Sequence, residues 1–485
     1  MNKTTKLFSF LLLFLILADF TNSQTVYTWN GSVNSNFSTA GNWTPFRQIG
    51  LVTDILVFEN SGTLNVTNVY QVTIGQLIVK NNTNLILSPA SGNAKLVTIK
   101  GAAGEDLVVE TGSSLKITGN DPSLNVYLGT GATGEIKGNL SFEGSIAHYI
   151  NAADAMALKF KQGSVFTQHC PGSIFNTIGV SNAVVFESGS SFRINHSNAV
   201  NPFGVNAPNS KVLFETSSNL VITNIASLQI SGRSIADLTI ESGTAVSLTE
   251  SCNSDININN LTVKAGGSLT IKNTNSSYTP TFSIHGNVNA EGSLKFSDET
   301  GSRFKVIFTG AGTQNITGSG ELVFPSNLEK FELKNSISLQ RNLNVNCPVI
   351  VNRFEIIKNG FEFTFNPEFG NPFTGSKTEI SSTGYTGGDN SPVNTGIPAE
   401  YSISQNYPNP FNPSTKIDFS LPVDSKVSIR VYDITGKEAA VLVNSQMAAG
   451  NHTVNFNASN LSSGVYFYTI SAGNFSKTVK MILAK

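Results

Sequence analysis

A phrase of about 25 residues recurs through most of the chain. A fixed period restricts the fold more than any local feature, because each unit must then pack against copies of itself. The phrase is an apolar residue, a charged one, a turn rich in Gly, Ser or Asn, and then apolar–x–apolar. It reads Val109-Glu110-Thr111-Gly112-Ser113-Ser114-Leu115-Lys116-Ile117 and returns at Phe186–Ile194, Phe214–Ile222 and Val263–Ile271. Taking the first apolar residue as a register mark gives Val79, Val109, Ile136, Phe160, Phe186, Phe214, Ile240, Val263, Val288, Phe308, Leu333 and Ile357. Six positions beyond most marks stands a second apolar residue: Leu85, Leu115, Phe166, Phe192, Leu220, Val246, Leu269, Leu294, Leu339 and Phe363. Two rungs depart from this spacing. The turn after Ile136 is shorter, and Phe308 is followed at that offset by Gln314.

Each phrase describes a strand, a tight corner and a second strand whose alternate side chains point one way. One coil cannot bury its inward residues by itself; stacked coils form a continuous apolar column and pair their backbones from coil to coil. The expected fold is all-β, a right-handed parallel β-helix (β-solenoid). A β-sandwich array would not require a fixed period. Helical periodicity is nearly absent, Ala152–Leu158 being the one short candidate and readable as a turn. With 42 glycines and abundant Asn, Ser and Thr, the composition suits many tight corners.

Charge is scarce at 13%, yet ten of the twelve residues that follow the marks are charged, so this position defines an outward face. Glu187, Glu215 and Glu241 would then stack on successive coils about 4.8 Å apart. Such a row is either a solvated face countered by Lys161 and Lys264, or a candidate cation or ligand face. The formal net charge of -1 gives no electrostatic footprint for nucleic acid or anionic lipid.

The N-terminus carries Lys3 and Lys6, an apolar run from Leu7 to Leu17 cut short by Asp19, and small residues at Thr21 and Ser23. This pattern predicts a signal peptide over 1–23, and no later segment is long and apolar enough to span a membrane as a helix. Residues 24–70 hold Trp29 and Trp43 and read as a cap for the solenoid of residues 71–382. A paired-Trp carbohydrate platform is the sharper alternative. Residues 383–400 are a Gly/Pro/Asn-rich linker. Cys170, Cys252 and Cys347 are too few and too widely spaced for a disulfide framework and read as buried apolar residues.

Residues 401–485 change character, with alternating runs such as Lys426-Val427-Ser428-Ile429-Arg430-Val431-Tyr432 and turn signals at Thr435-Gly436-Lys437 and Ala449-Gly450-Asn451. Short strands at this spacing predict a small β-sandwich. The sequence here resembles the type A C-terminal sorting domain of the type IX secretion system. The resemblance lies in Gln405-Asn406-Tyr407-Pro408-Asn409-Pro410-Phe411-Asn412-Pro413-Ser414-Thr415, in Val431-Tyr432-Asp433-Ile434-Thr435-Gly436-Lys437, in Leu461-Ser462-Ser463-Gly464-Val465-Tyr466 and in the closing Lys480-Met481-Ile482-Leu483-Ala484-Lys485. Ala439 and Ala440 depart slightly, standing where relatives carry a more strand-like pair. The resemblance implies an Ig-like domain, handling by the type IX translocon and sorting machinery, and delivery through the outer membrane of a Gram-negative bacterium to the surface or the medium. It assigns Pro408, Asn409, Pro410, Gly436, Gly464, Tyr466, Lys480 and Lys485 to the sorting signal, none of them catalytic.

No catalytic constellation emerges. Gly129-Thr130-Gly131-Ala132-Thr133-Gly134 matches GxGxxG but leads into a strand, whereas a dinucleotide site needs a helix there. His148, His169, His196, His285 and His452 show no metal-ligand spacing, and His169-Cys170 are sequence neighbours, which is not how a Cys–His pair acts. No cofactor or metal is expected. The resulting expectation is a non-enzymatic structural or adhesive surface solenoid, with polysaccharide or matrix as partner. A polysaccharide-binding or polysaccharide-degrading β-helix, which would need facing carboxylates or clustered basic residues, is the alternative.

Overall fold

The computed structural model describes residues 24–369 and 401–484, apart from 49, 102–103, 177–178, 200–201, 205–209, 226–227, 352–353 and 449. The expected signal peptide, the linker 383–400 and Lys485 lie outside the described residues. The described chain is nearly all β, a solenoid of about twelve turns followed by antiparallel sheets. Its only helical pieces are short 3₁₀ turns at Ala40–Asn42 and Pro367–Phe369. No described helix is long and apolar enough to cross a membrane. Ala152–Leu158 is a turn between the strands Ile150–Ala152 and Leu158–Phe160.

The early marks stack as the period predicts. Parallel strands bring Phe58, Val79, Val109, Ile136, Phe160, Phe186 and Phe214 side by side in that order. The second column runs Leu64, Leu85, Leu115, Leu140, Phe166, Phe192 and Leu220. Leu140 supplies the apolar residue missing six positions after Ile136. The shortened corner works through Gly138, where a Cβ would lie 2.0 Å from the Ser113 carbonyl oxygen.

Beyond Phe214 the single ladder of marks gives way to two. Ile240 pairs with Ile222, not with Phe214, because the strand Ser234–Ile240 continues the second column through Leu220 and Leu238. That column then runs on through Leu261, Val288, Ile316 and Leu339. The later residues six beyond a mark, Val246, Leu269 and Leu294, form a new sheet of their own that ends on Leu322. The step from Leu220 to Leu238 is the shortest in the column, because the strand Ser234–Ile240 runs through without an intervening Gly/Ser corner, and the marks after it change sheets. An average period conceals such a slip. Alternation survives, because a strand moved between columns still presents every second residue inward.

Where the early columns hold phenylalanine, the rings stack. Centroids are 4.5 Å apart for Phe160–Phe186 and 5.4 Å for Phe186–Phe214, with planes within 7° and 17° of parallel. Gln314, the second irregular rung, is buried; its amide nitrogen donates to the carbonyls of Ile284 and Gly286 on the neighbouring coil. The three cysteines are buried and free.

The N-terminal end closes over an aromatic cluster. Trp29 and Trp43 are each 2% exposed and meet edge to face at 5.0 Å, with Phe37 and Phe58 against Trp43. Rings this deeply buried cannot offer a carbohydrate platform, so that alternative is set aside. Arg47 lies over the rings of Tyr27, Phe37 and Trp43, and its Nε donates to Asp54 Oδ2 at 2.8 Å. Both ionic side chains are buried, so removing either would strand its partner in a medium of low polarity.

The C-terminal domain is a two-sheet sandwich. One sheet holds Ser402–Ile403, Ser414–Leu421 and Gly450–Asn457; the other holds Glu438–Met447, Ser425–Asp433, Gly464–Ala472 and Phe475–Leu483, all antiparallel. Inward alternation of Ile417, Phe419 and Leu421 against Val427, Ile429 and Val431 makes a core separate from that of the solenoid.

Because Phe186 is fully buried between two other rings, Phe186→Asp would place a carboxylate where neither water nor a cation reaches it. We expect this variant to lose the melting transition of the neighbouring coils; a thermal unfolding curve matching the wild type would refute the stacked-column assignment.

Candidate functional site

The outward charged row was the most specific ligand-site expectation, and the structure divides it. Glu187 and Glu215 do lie on adjacent strands, their amides donating to the Phe160 and Phe186 carbonyls. Glu241 does not continue that stack: its amide donates to Ile222, so it belongs to the column beyond the slip. Its carboxylate pairs with Lys264 at 2.8 Å and lies 3.9 Å from Arg193. Glu187 pairs with Lys161 at 2.8 Å, and the same ammonium lies 3.4 Å from Glu135, which also holds Lys137 at 2.8 Å. Burial works against ionisation at Glu135, but Lys137 and Lys161 outweigh it and keep its carboxyl below the ordinary range. These half-exposed pairs are solvated alternations of charge, each contributing little.

Glu215 is the exception in this row. Burial, and then the charge of Glu187, push its carboxyl above the ordinary range, opposed by a backbone amide bond from Ser188. Among the described residues no three of His, Cys, Asp or Glu converge to hold a metal ion. The Glu187, Glu215, Glu241 grouping is therefore two ion pairs and one partly desolvated carboxyl, not a common site.

Other candidates resolve into local structure. In Gly129–Gly134, the Ala132 amide donates to the Gly129 carbonyl to close a turn, and Gly134–Ile136 is strand. His169 meets Asn195 at 3.0 Å, while burial pushes the Cys170 thiol up to about 11, the reverse of an activated nucleophile. A hollow of about 360 Å³ near the end of the solenoid is lined by Gly318, Ser319, Gln340, Arg341, Asn342 and Phe361. Arg341 is engaged there with the carbonyls of Ala290 and Gly320.

What the periodicity did not single out is an outward ladder of amides. Asp237 Oδ1 accepts from Asn259 and Asn260; Asn260 Oδ1 accepts the amide of Asn287, and Asn287 Oδ1 that of Asn315, the last two at 2.7 Å. Asn344–Thr364 and Asn346–Asn366 repeat the motif near the end of the rod, at 3.1 and 2.8 Å. Asn frequency was visible in the sequence, but these residues sit at unequal spacings and align only once the columns are known.

In the sandwich, the residues assigned to sorting build one knot and one turn. Asn406 donates its amide to the Tyr468 hydroxyl at 2.8 Å and its side chain to the Pro408 carbonyl and Thr415. Asn409 Oδ1 accepts the Ile482 amide at 2.8 Å, and buried Phe411 bonds through its backbone to Ile482 and Ala484. The Pro408-Asn409-Pro410 segment is thus tied to the last strand, which brings two distant motifs together. Lys480 contributes there through its carbonyl, which accepts from Gln405, while its side chain is exposed. Gly436 takes φ +83° in a hairpin turn organised by Asp433 Oδ1, which accepts from Thr435 and Lys437. Tyr466 donates to the Ser462 carbonyl two residues before Gly464. Asn406, Thr415 and Tyr468 were not named as signal residues, yet they hold the loop.

A family model described as a secretion system C-terminal sorting domain matches residues 405–484. No curated protein and no solved structure matches the chain.

Glu215 yields a test of the charged face. The folded chain holds this proton more tightly than the unfolded one, so Glu215 subtracts from stability as pH rises from the ordinary carboxyl range, about 4.3, toward neutrality. Glu215→Gln should therefore melt above the wild type near neutral pH, with the gap closing as pH falls below that range. Equal melting temperatures at both ends would contradict the desolvated assignment.

Proposed function

We propose that this chain, delivered to the cell surface or the medium by the type IX sorting domain at its C-terminus, works there as a non-enzymatic structural or adhesive rod. The outward amide ladder carries this reading. Side chains of Asn and Thr, bonded from coil to coil, present a hydrogen-bonding surface in which Asp237 is the one carboxylate of the ladder, and the charged residues of the row at Glu135–Glu187 are consumed in pairs. About twelve coils at roughly 4.8 Å each give a rod of order 60 Å. Amides and hydroxyls exchange bonds with water and sugars alike, so single contacts are weak and repetition supplies avidity. Polysaccharide or extracellular matrix is the partner class such a surface suits. Acid–base turnover would instead call for carboxylates facing one another across a cleft.

Two measurements test the reading. The mature chain from residue 24 onward should bind members of a panel of plant and microbial polysaccharides without releasing reducing or unsaturated ends. Turnover abolished by changing one carboxylate or basic residue would replace the rod with an enzyme, and absence of all binding would remove the adhesive role. Separately, a chain lacking residues 401–485 should accumulate in the periplasm of a host carrying the matching translocon. Surface display equal to the full chain would show that delivery does not depend on this domain.

A further inference from the structure

We infer that the outer flank of the solenoid around Leu213, Glu215 and His285 is a docking surface for the chain's own sorting domain, which seats its Tyr407–Ser414 segment there and so keeps one side of that segment covered. The central contact is a ring stack: the imidazole of His285 lies parallel to the Tyr407 ring, with centroids 4.7 Å apart and planes within 5°. Both rings sit on fixed backbone. Tyr407 exchanges two backbone bonds with Lys416, each 2.9 Å, and the His285 amide donates to Ile258 on the preceding coil. His285 Nε2 is also held to Asn257 at 3.2 Å, so the imidazole is oriented from the solenoid side. A second contact zone lies some coils away, where Pro408, Pro410, Asn412 and Ser414 face Leu213 and Glu215 across a narrow hollow of about 270 Å³.

Leu213 points outward on Val212–Phe214 beside buried Val185 of the neighbouring strand, so the two make an apolar patch for which prolines are apt partners. The solvation of the facing groups agrees with a covered surface. Burial, and then the nearby charge of Asp237, push the Tyr407 hydroxyl up to about 12, and burial holds the His285 imidazole below its ordinary value. The segment so covered contains Pro408 and Pro410, which lie within the matched sorting domain. A receptor that grips this side of the loop must therefore displace it from the solenoid first. This inference does not depend on what the solenoid binds.

Small-angle scattering of the full mature chain tests it. Compact scattering is expected, with the sandwich alongside the rod, and the maximum dimension should lengthen in the doubly substituted His285→Ala, Leu213→Ser chain. Both substitutions lie in the solenoid, leaving the sorting domain itself intact, and an unchanged melting profile would establish that the rod is still folded. Cleavage within Tyr407–Ser414 by a low dose of protease should rise several-fold in the same variant. A wild-type chain already extended in solution would overturn the docking surface. So would a folded variant that scatters and resists protease like the wild type.

Discussion

No coil of this rod has a core of its own, and everything else in the structure depends on that. A coil contributes two or three short strands whose inward residues are covered only by the coils before and after it, and whose backbone amides find carbonyls only on those neighbours. The inward rows must therefore stay apolar at every rung, while the corners need only turn. The chain follows this division closely. Where a corner shortens, at Gly138, a residue without a Cβ lets the next strand regain its place beside Leu115. Where an inward rung is polar, at Gln314, its amide is spent on carbonyls of the adjacent coil.

The same constraint explains what was legible in the sequence. Inward residues at Val79, Val109, Ile136, Phe160 and Phe186 are large, apolar and recur every 24 to 30 residues, so their column could be read directly. The shortened coil between Leu220 and Leu238 could not, because Ile240 and Val263 still satisfy the apolar pattern after changing sheets. Periodicity reports which residues face inward, and says nothing of which column they join. The candidate ligand face failed for this reason: Glu241 was aligned with Glu215 by a count that the slip had already shifted. The Trp pair left a second reading open for another reason, since two Trp residues read as a cap can also serve as a sugar platform until burial is known.

Legibility was greater in the sandwich because its motifs are local. The turn at Asp433–Lys437 is encoded within five residues. The knot around Asn406 is not, because Tyr468 and Ile482 reach it from the far end of the domain. Resemblance named the two ends of that knot without showing that they touch. Their contact is a physical one: the edge strand Phe475–Leu483 is where the Pro408–Asn409–Pro410 loop is fastened.

The slip after Phe214 also divides the outside of the rod. On the N-terminal side, a straight track runs along the strands that carry the early marks; at Phe214 that track ends, and the strands that follow align with a different side of the prism. A rigid object laid along the first track cannot keep following equivalent positions past this point. The rod thus has one face that is interrupted and one, from Leu64 to Leu339, that is not, so the face a long partner lies along decides whether it meets the joint at all.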